Sequence, residues 1–251
     1  MRRIYRRPLP IRTKTYLKKR QAVVNTGELV QRIWSAARRT KTLRNVFETL
    51  VVMAGARARC YFCNDSRGTD IEHFWPKNRY PERVFEWPNM LLVCSGCNRQ
   101  KAEQFPFDQD GHPLLIDPTK ENPWDYLFFE PATGQVVARW DLQKDAPNPK
   151  GAATTDETIL PLNVEAVTEG RRRVGRRLVR TVQSYFLESA EPNAIENAFD
   201  ILQRTLSDND DYGLIHWFFM RDGQHAEPFK TLHEQYPMIW ERLQVALDSS
   251  E

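Results

Sequence analysis

Asp70 to Asn78 read DIEHFWPKN, and the reading of this stretch decides the fold. Thr69 to Trp75 has the β-branched and aromatic character of a short strand, and Pro76 ends it because proline cannot continue a hydrogen-bonded ladder. An acid and an imidazole, Glu72 and His73, therefore stand side by side at a strand end, where core packing asks for neither. Cysteines flank the stretch as Cys60-Tyr61-Phe62-Cys63 and Cys94-Ser95-Gly96-Cys97, two CxxC pairs separated by 30 residues. Each CxxC turn offers two thiolates to one tetrahedral ion, so the two turns together close the sphere of a structural zinc and leave no position open for substrate. A redox CxxC or two disulfides are the alternatives, and the lack of an export signal weighs against them.

Outward from the quoted stretch, Met90 to Val93 is a second short apolar strand delivering Cys94. Cys97 to Glu103 reads as a helix start. The order is strand, connection, strand, helix, bracketed by the two knuckles.

These residues resemble the HNH endonucleases of the ββα-metal fold. The likeness is carried by Glu72-His73 with Pro76, by Trp87-Pro88-Asn89-Met90-Leu91-Leu92, and by Cys94-Ser95-Gly96-Cys97-Asn98-Arg99-Gln100-Lys101. The family triad falls on His73, Asn89 and Asn98, with asparagine in the last place. A looser likeness runs through LLIDPTKENPWDYLFFEPATGQV and Leu160-Pro161-Leu162-Asn163. That part is similar to the HNH proteins paired with an ATPase in Septu and some retron anti-phage systems. The resemblance implies phosphodiester hydrolysis, DNA as the expected substrate, a partner ATPase and a role in antiviral defence.

Hydrolysing a phosphodiester needs an activated water, countercharge for the transition state and relief for the leaving oxygen, and a divalent ion can meet the last two. Glu72 and Asn98 supply hard oxygen ligands suited to Mg²⁺ or Mn²⁺. Asp70, on the same strand face as Glu72, is a supporting or alternative ligand. His73 points to the opposite strand face, or twists away at the strand end, where it can meet water rather than metal, and is the expected general base, its unperturbed pKa near 6.5 letting it accept a proton at neutral pH. By resemblance Asn89 is structural, tying the connecting loop and orienting His73. Lys77, Arg79, Arg99 and Lys101 are the expected phosphate contacts. Arg99 and Lys101 are expected in the helix's first turn, where the macrodipole favours an anion that a bound phosphate would provide.

Around this core the 251 residues divide by composition and charge. Residues 1–59 carry 16 Lys and Arg against Glu28 and Glu48, a net of +14; residues 60–101 net +1 and residues 102–251 net −12. A block so basic calls for an anion, with nucleic acid as the leading partner. Helices are expected over residues 13–25 and 27–54, the second from Leu29, Ile33, Trp34, Ala37, Leu43, Val46, Phe47 and Leu50 at three- and four-residue steps. Residues 60–106 form the HNH core. Residues 107–162 hold seven of the 16 prolines and are expected to form loops with a hairpin of Tyr126–Glu130 and Gln135–Trp140.

Residues 163–251 return to helix, with an apolar stripe of Val167, Val174, Leu178 and Tyr185 opposite Arg172, Arg173, Arg176 and Arg180. That basic face suits nucleic acid or an acidic partner surface. Residues 208–213 lack the twelfth-position Glu of a calcium loop, Phe219 standing there. His216, His225 and His233 read as core or surface histidines, and Trp217-Phe218-Phe219 as core. No apolar run reaches the roughly 20 residues of a membrane span, so a cytoplasmic location is expected. The fold class that emerges is α+β and mainly helical, a zinc-braced ββα core between helical segments.

Overall fold

A computed structural model describes residues 1–184, 200 and 211–248. The first ten residues are threaded into the core: Met1, Ile4 and Leu9 are buried. The Ile4 amide donates to the Pro118 carbonyl at 2.8 Å and the Arg2 guanidinium to that of Ala54 at 2.7 Å. Arg6 reaches the carbonyls of Pro88 and Met90, each at 2.8 Å. Cations expected on a nucleic-acid surface are thus partly spent on backbone carbonyls of the fold.

Helix α1 spans Ile11–Val24. The single helix expected over 27–54 is two, α2 (Val30–Ala37) and α3 (Lys41–Met53). The break lies at Thr40, whose hydroxyl accepts from the Leu43 amide at 3.3 Å and caps α3. Leu29 precedes α2 and is exposed, whereas Ile33, Trp34, Ala37, Leu43, Val46 and Leu50 are buried as their spacing requires.

Strands β1 (Asp70–His73) and β2 (Met90–Val93) pair antiparallel, with Asp70 opposite Val93 and His73 opposite Met90. Gly68 just before them lies so close to Leu92 that an added Cβ would stand 2.3 Å from the leucine Cγ, so a larger residue here must displace the buried Leu92 side chain. Helix α4 (Ser95–Lys101) follows β2 directly and packs against β1. It stops at Ala102, whose φ of 43° is a left-handed value that a Cβ disfavours.

The proline-rich region forms the expected hairpin, β3 (Leu127–Phe129) with β4 (Val136–Ala138), turned through Gly134 at φ +79°. Trp140 does not extend that hairpin. It begins β5 (Trp140–Asp141), which pairs with β6 (Ala146–Pro147) ahead of α5 (Pro149–Thr155). Helix α6 (Glu165–Val182) buries Val167, Val174 and Leu178, while Tyr185 and residues 208–210 lie outside the described residues.

Helices α7 (Leu214–Met220), α8 (Phe229–Gln235) and α9 (Pro237–Asp248) complete the C-terminal bundle. Trp217, Phe218 and Phe219 are buried in it as expected, and His233 stacks on Trp240. The described residues are thus α+β and mainly helical, with three two-stranded antiparallel sheets. None of the helices among them is long and apolar enough to cross a membrane.

Candidate active site and metal centre

The knuckles close on each other from two directions. Cys60 donates its amide to the Ser66 carbonyl and accepts the Asn64 amide on its own carbonyl, both at 2.9 Å, which wraps the first turn around its two sulfurs. In the second turn the Cys94 sulfur accepts the Cys97 amide at 3.4 Å and caps α4. All four cysteines are buried, their Sγ atoms within 4.8 Å of one another, and Cys63 and Cys94 are 3.9 Å apart. Zinc–sulfur bonds of about 2.3 Å in a tetrahedron place the sulfurs roughly 3.8 Å apart. Burial pushes the Cys60 thiol well up, whereas Cys60 above all, with Cys63 and Cys97, donates to Cys94 and holds it well down. Four thiolates cannot coexist here without a cation. The cluster therefore fits a structural zinc, held by Cys60, Cys63, Cys94 and Cys97.

His73 ends β1 on the face turned away from α4. Its Nε2 lies 2.9 Å from the Val84 carbonyl oxygen, and Trp34 of α2 meets the ring edge-on with centroids 4.5 Å apart. A carbonyl only accepts, so Nε2 carries the proton and Nδ1 is left as the basic nitrogen. Burial lowers the His73 pKa to about 3, aided by the nearby Lys77 and Lys101 charges and opposed by the Val84 bond. The ring is neutral at pH 7. The expectation that His73 faces water needs correction: it is 2% exposed, because Trp34 and the loop around Val84 cover it.

Asn89 fixes that loop. Its Oδ1 accepts the Trp75 amide at 2.7 Å, and its Nδ2 donates to the carbonyls of Trp75 at 3.2 Å and Arg83 at 2.9 Å. Both ends of the β1–β2 connection hang on one buried amide. Val84, the carrier of the His73 acceptor, follows directly.

Glu72 faces α4. Lys101 Nζ donates to Glu72 Oε1 at 2.9 Å and to the His73 carbonyl at 3.0 Å, and its side chain is fully buried. Lys101 is therefore no phosphate contact: three residues beyond Asn98, it uses the inner face of α4 to anchor β1. Asn98, half-buried, lies one turn earlier on that face. Glu72 Oε2 and the Asn98 carbonyl are hard donors suited to Mg²⁺ or Mn²⁺, although Lys101 competes for the first carboxylate. Asp70 stands 3.7 Å from Arg38, an ion pair that draws it toward α2's end.

The chain is similar to Septu protein PtuB of Bacillus thuringiensis. The two are 28% identical over 148 residues, 57% of this chain and 51% of PtuB, so the chain spans about half the length of the curated relative it matches. No family model matches the chain.

Three expected phosphate contacts remain. Arg79 and Arg99 are exposed and Lys77 half-buried. Arg79 donates to the Glu103 carbonyl at 3.2 Å. Because the Cys94 sulfur starts the helix at Ser95, Arg99 and Lys101 occupy its last turn rather than its first, where the macrodipole favours cations. Two parts of the site were not legible beforehand: the Val84 carbonyl, since a backbone acceptor leaves no residue-type signal, and Trp34, whose place in an apolar stripe marks only burial.

Proposed function

We propose that the chain is a metal-dependent HNH-type endonuclease that hydrolyses phosphodiester bonds, DNA by preference, beside a partner ATPase in anti-phage defence. The observation that carries this reading is the hydrogen bond from His73 Nε2 to Val84, which commits one ring nitrogen and leaves the other unprotonated at the end of the strand that also carries Glu72. Bulk packing has no use for that combination. The likeness to a Septu protein supports the defence setting.

In this reading Glu72 and Asn98 hold Mg²⁺ or Mn²⁺, which when bound offsets charge on the phosphate and its leaving oxygen. His73 Nδ1 takes a proton from water. The water oxygen bonds to phosphorus as the bond to the leaving oxygen breaks, and the Val84 carbonyl steadies the imidazolium that forms. Asn89 keeps that carbonyl in place, and Arg99 and Arg79 are placed for backbone phosphates.

A second reading, a zinc module that binds nucleic acid or a partner without cutting, is favoured by the Lys101 grip on Glu72 and by the Trp34 cover on His73. Plasmid nicking separates the two. Wild-type chain, alone and with a partner ATPase, is expected to nick in Mg²⁺ or Mn²⁺ and not in their absence. Glu72→Gln should lower the rate by tenfold or more and raise the metal concentration needed. Failure of wild type to nick under every condition sinks the nuclease reading.

A further inference from the structure

Between α1 and the β1–β2 connection lies a cleft of about 280 Å³ that the catalytic reading does not use. Its floor is Leu17 and Phe85, both buried, and Trp87 forms a half-exposed aromatic wall. Lys14 and Lys18, one helical turn apart and exposed, stand at its rim on the α1 side, and the exposed Glu86 beside Trp87 lines the other side. Neither lysine pairs with a described carboxylate, and α1 contains five Lys and Arg with no Asp or Glu. The Arg6 guanidinium sits 4.9 Å from the Trp87 ring centre, and the indole N–H donates to the Arg7 carbonyl, which fixes the ring.

We propose that this cleft binds one unpaired nucleotide of a single-stranded segment, its base against Trp87 and its flanking phosphates on Lys14 and Lys18. The volume is at the small end of ligand pockets, which run from roughly 300 Å³. It suits a single planar group rather than the face of a partner helix about 10 Å across. Paired lysines argue the same way, since protein interfaces are depleted in Lys, whereas an aromatic wall edged by cations is the usual platform for single strands.

The cleft also adjoins the candidate catalytic group. Gln21 of α1 accepts the Phe85 amide at 2.8 Å and donates to the Pro81 carbonyl at 2.9 Å, clamping the loop whose Val84 holds His73. The Phe85 ring is 5.6 Å from Trp34, the residue over His73. A strand anchored here would pass beside the hairpin's His73 end. The proposal rests on nucleic acid being the substrate and names the unpaired strand as the form recognised.

The test is fluorescence anisotropy on the full chain without added divalent ion, using a labelled oligothymidine, an abasic strand of equal length and a duplex. Oligothymidine is expected to bind at least fivefold tighter than the abasic strand. Lys14→Glu with Lys18→Glu should weaken it tenfold or more and lower the salt slope by about 1.4, as loss of two phosphate contacts on a single strand does. Both lysines are exposed, and an unchanged melting temperature certifies the fold. Equal binding of abasic strand and oligothymidine, or unchanged affinity in the double variant, overturns the proposal. So does loss of a partner protein with oligonucleotide affinity intact, which would make the cleft a protein interface. The assay needs no cleavage: a chain that binds as described but never nicks loses only the nuclease reading, and one that nicks with an indifferent cleft loses only this inference.

Discussion

His73 shows how a residue can be easy to name and hard to place. The pairing of Glu72 with His73 before Pro76 marks both, and strand alternation puts them on opposite faces, as found. What covers each face comes from 28 residues downstream, where Lys101 binds the carbonyl of His73, and from α2, where Trp34 meets the ring. Neither contact has a local signal. Burial also gives His73 a pH signature. Its ordinary pKa is 6.5 and its folded value about 3, so between these values the unfolded chain binds a proton that the folded chain does not. Stability from this group is complete above pH 6.5 and falls on acidification by up to about 1.4 kcal/mol per pH unit. The Lys77 and Lys101 charges near the ring act in the same direction as burial. Denaturant midpoints between pH 7 and 4 should therefore drop for wild type and flatten in His73→Gln; equal slopes would show that His73 is not buried in its neutral form.

At the scale of elements, the ββα unit was legible because each part carries a period-2 or helix-start pattern and ends at a proline or a cysteine turn. Its boundaries moved where capping chemistry intervened: the Cys94 sulfur starts α4 two residues early, and Thr40 splits one expected helix into two. The unit has four-residue strands and a seven-residue helix, too little to stand without the ion. Structural zinc contributes on the order of 10 kcal/mol to such sites. Cys94→Ser, or stripping with a strong chelator, is expected to release one zinc and lose the cooperative thermal transition, read by metal analysis and calorimetry. A metal-free chain melting as wild type would contradict the zinc assignment.

Across the molecule, Arg171 of α6 joins the C-terminal part to the first knuckle. It is fully buried, donates to the carbonyls of Gly134 at 3.1 Å and Leu162 at 2.6 Å, and lies over the Tyr212 ring, whose hydroxyl donates to Asp65 beside Cys63. Burial lowers its pKa to about 10, so it remains a cation next to the thiolates. The spacing of α6 put Arg172, Arg173, Arg176 and Arg180 on one face and did not single out Arg171, because a buried cation held by carbonyls looks the same in sequence as a solvated one. The charge asymmetry of the chain was plain, yet its N-terminal cations divide between backbone carbonyls of the fold and the exposed rim of α1. Replacing His73 tests the account most directly. His73→Ala, assayed for plasmid nicking with Mn²⁺ and a partner ATPase, should lose at least a hundredfold in rate while keeping its zinc and its affinity for DNA. Wild-type rates in that variant would remove His73 from the chemistry and with it the nuclease assignment.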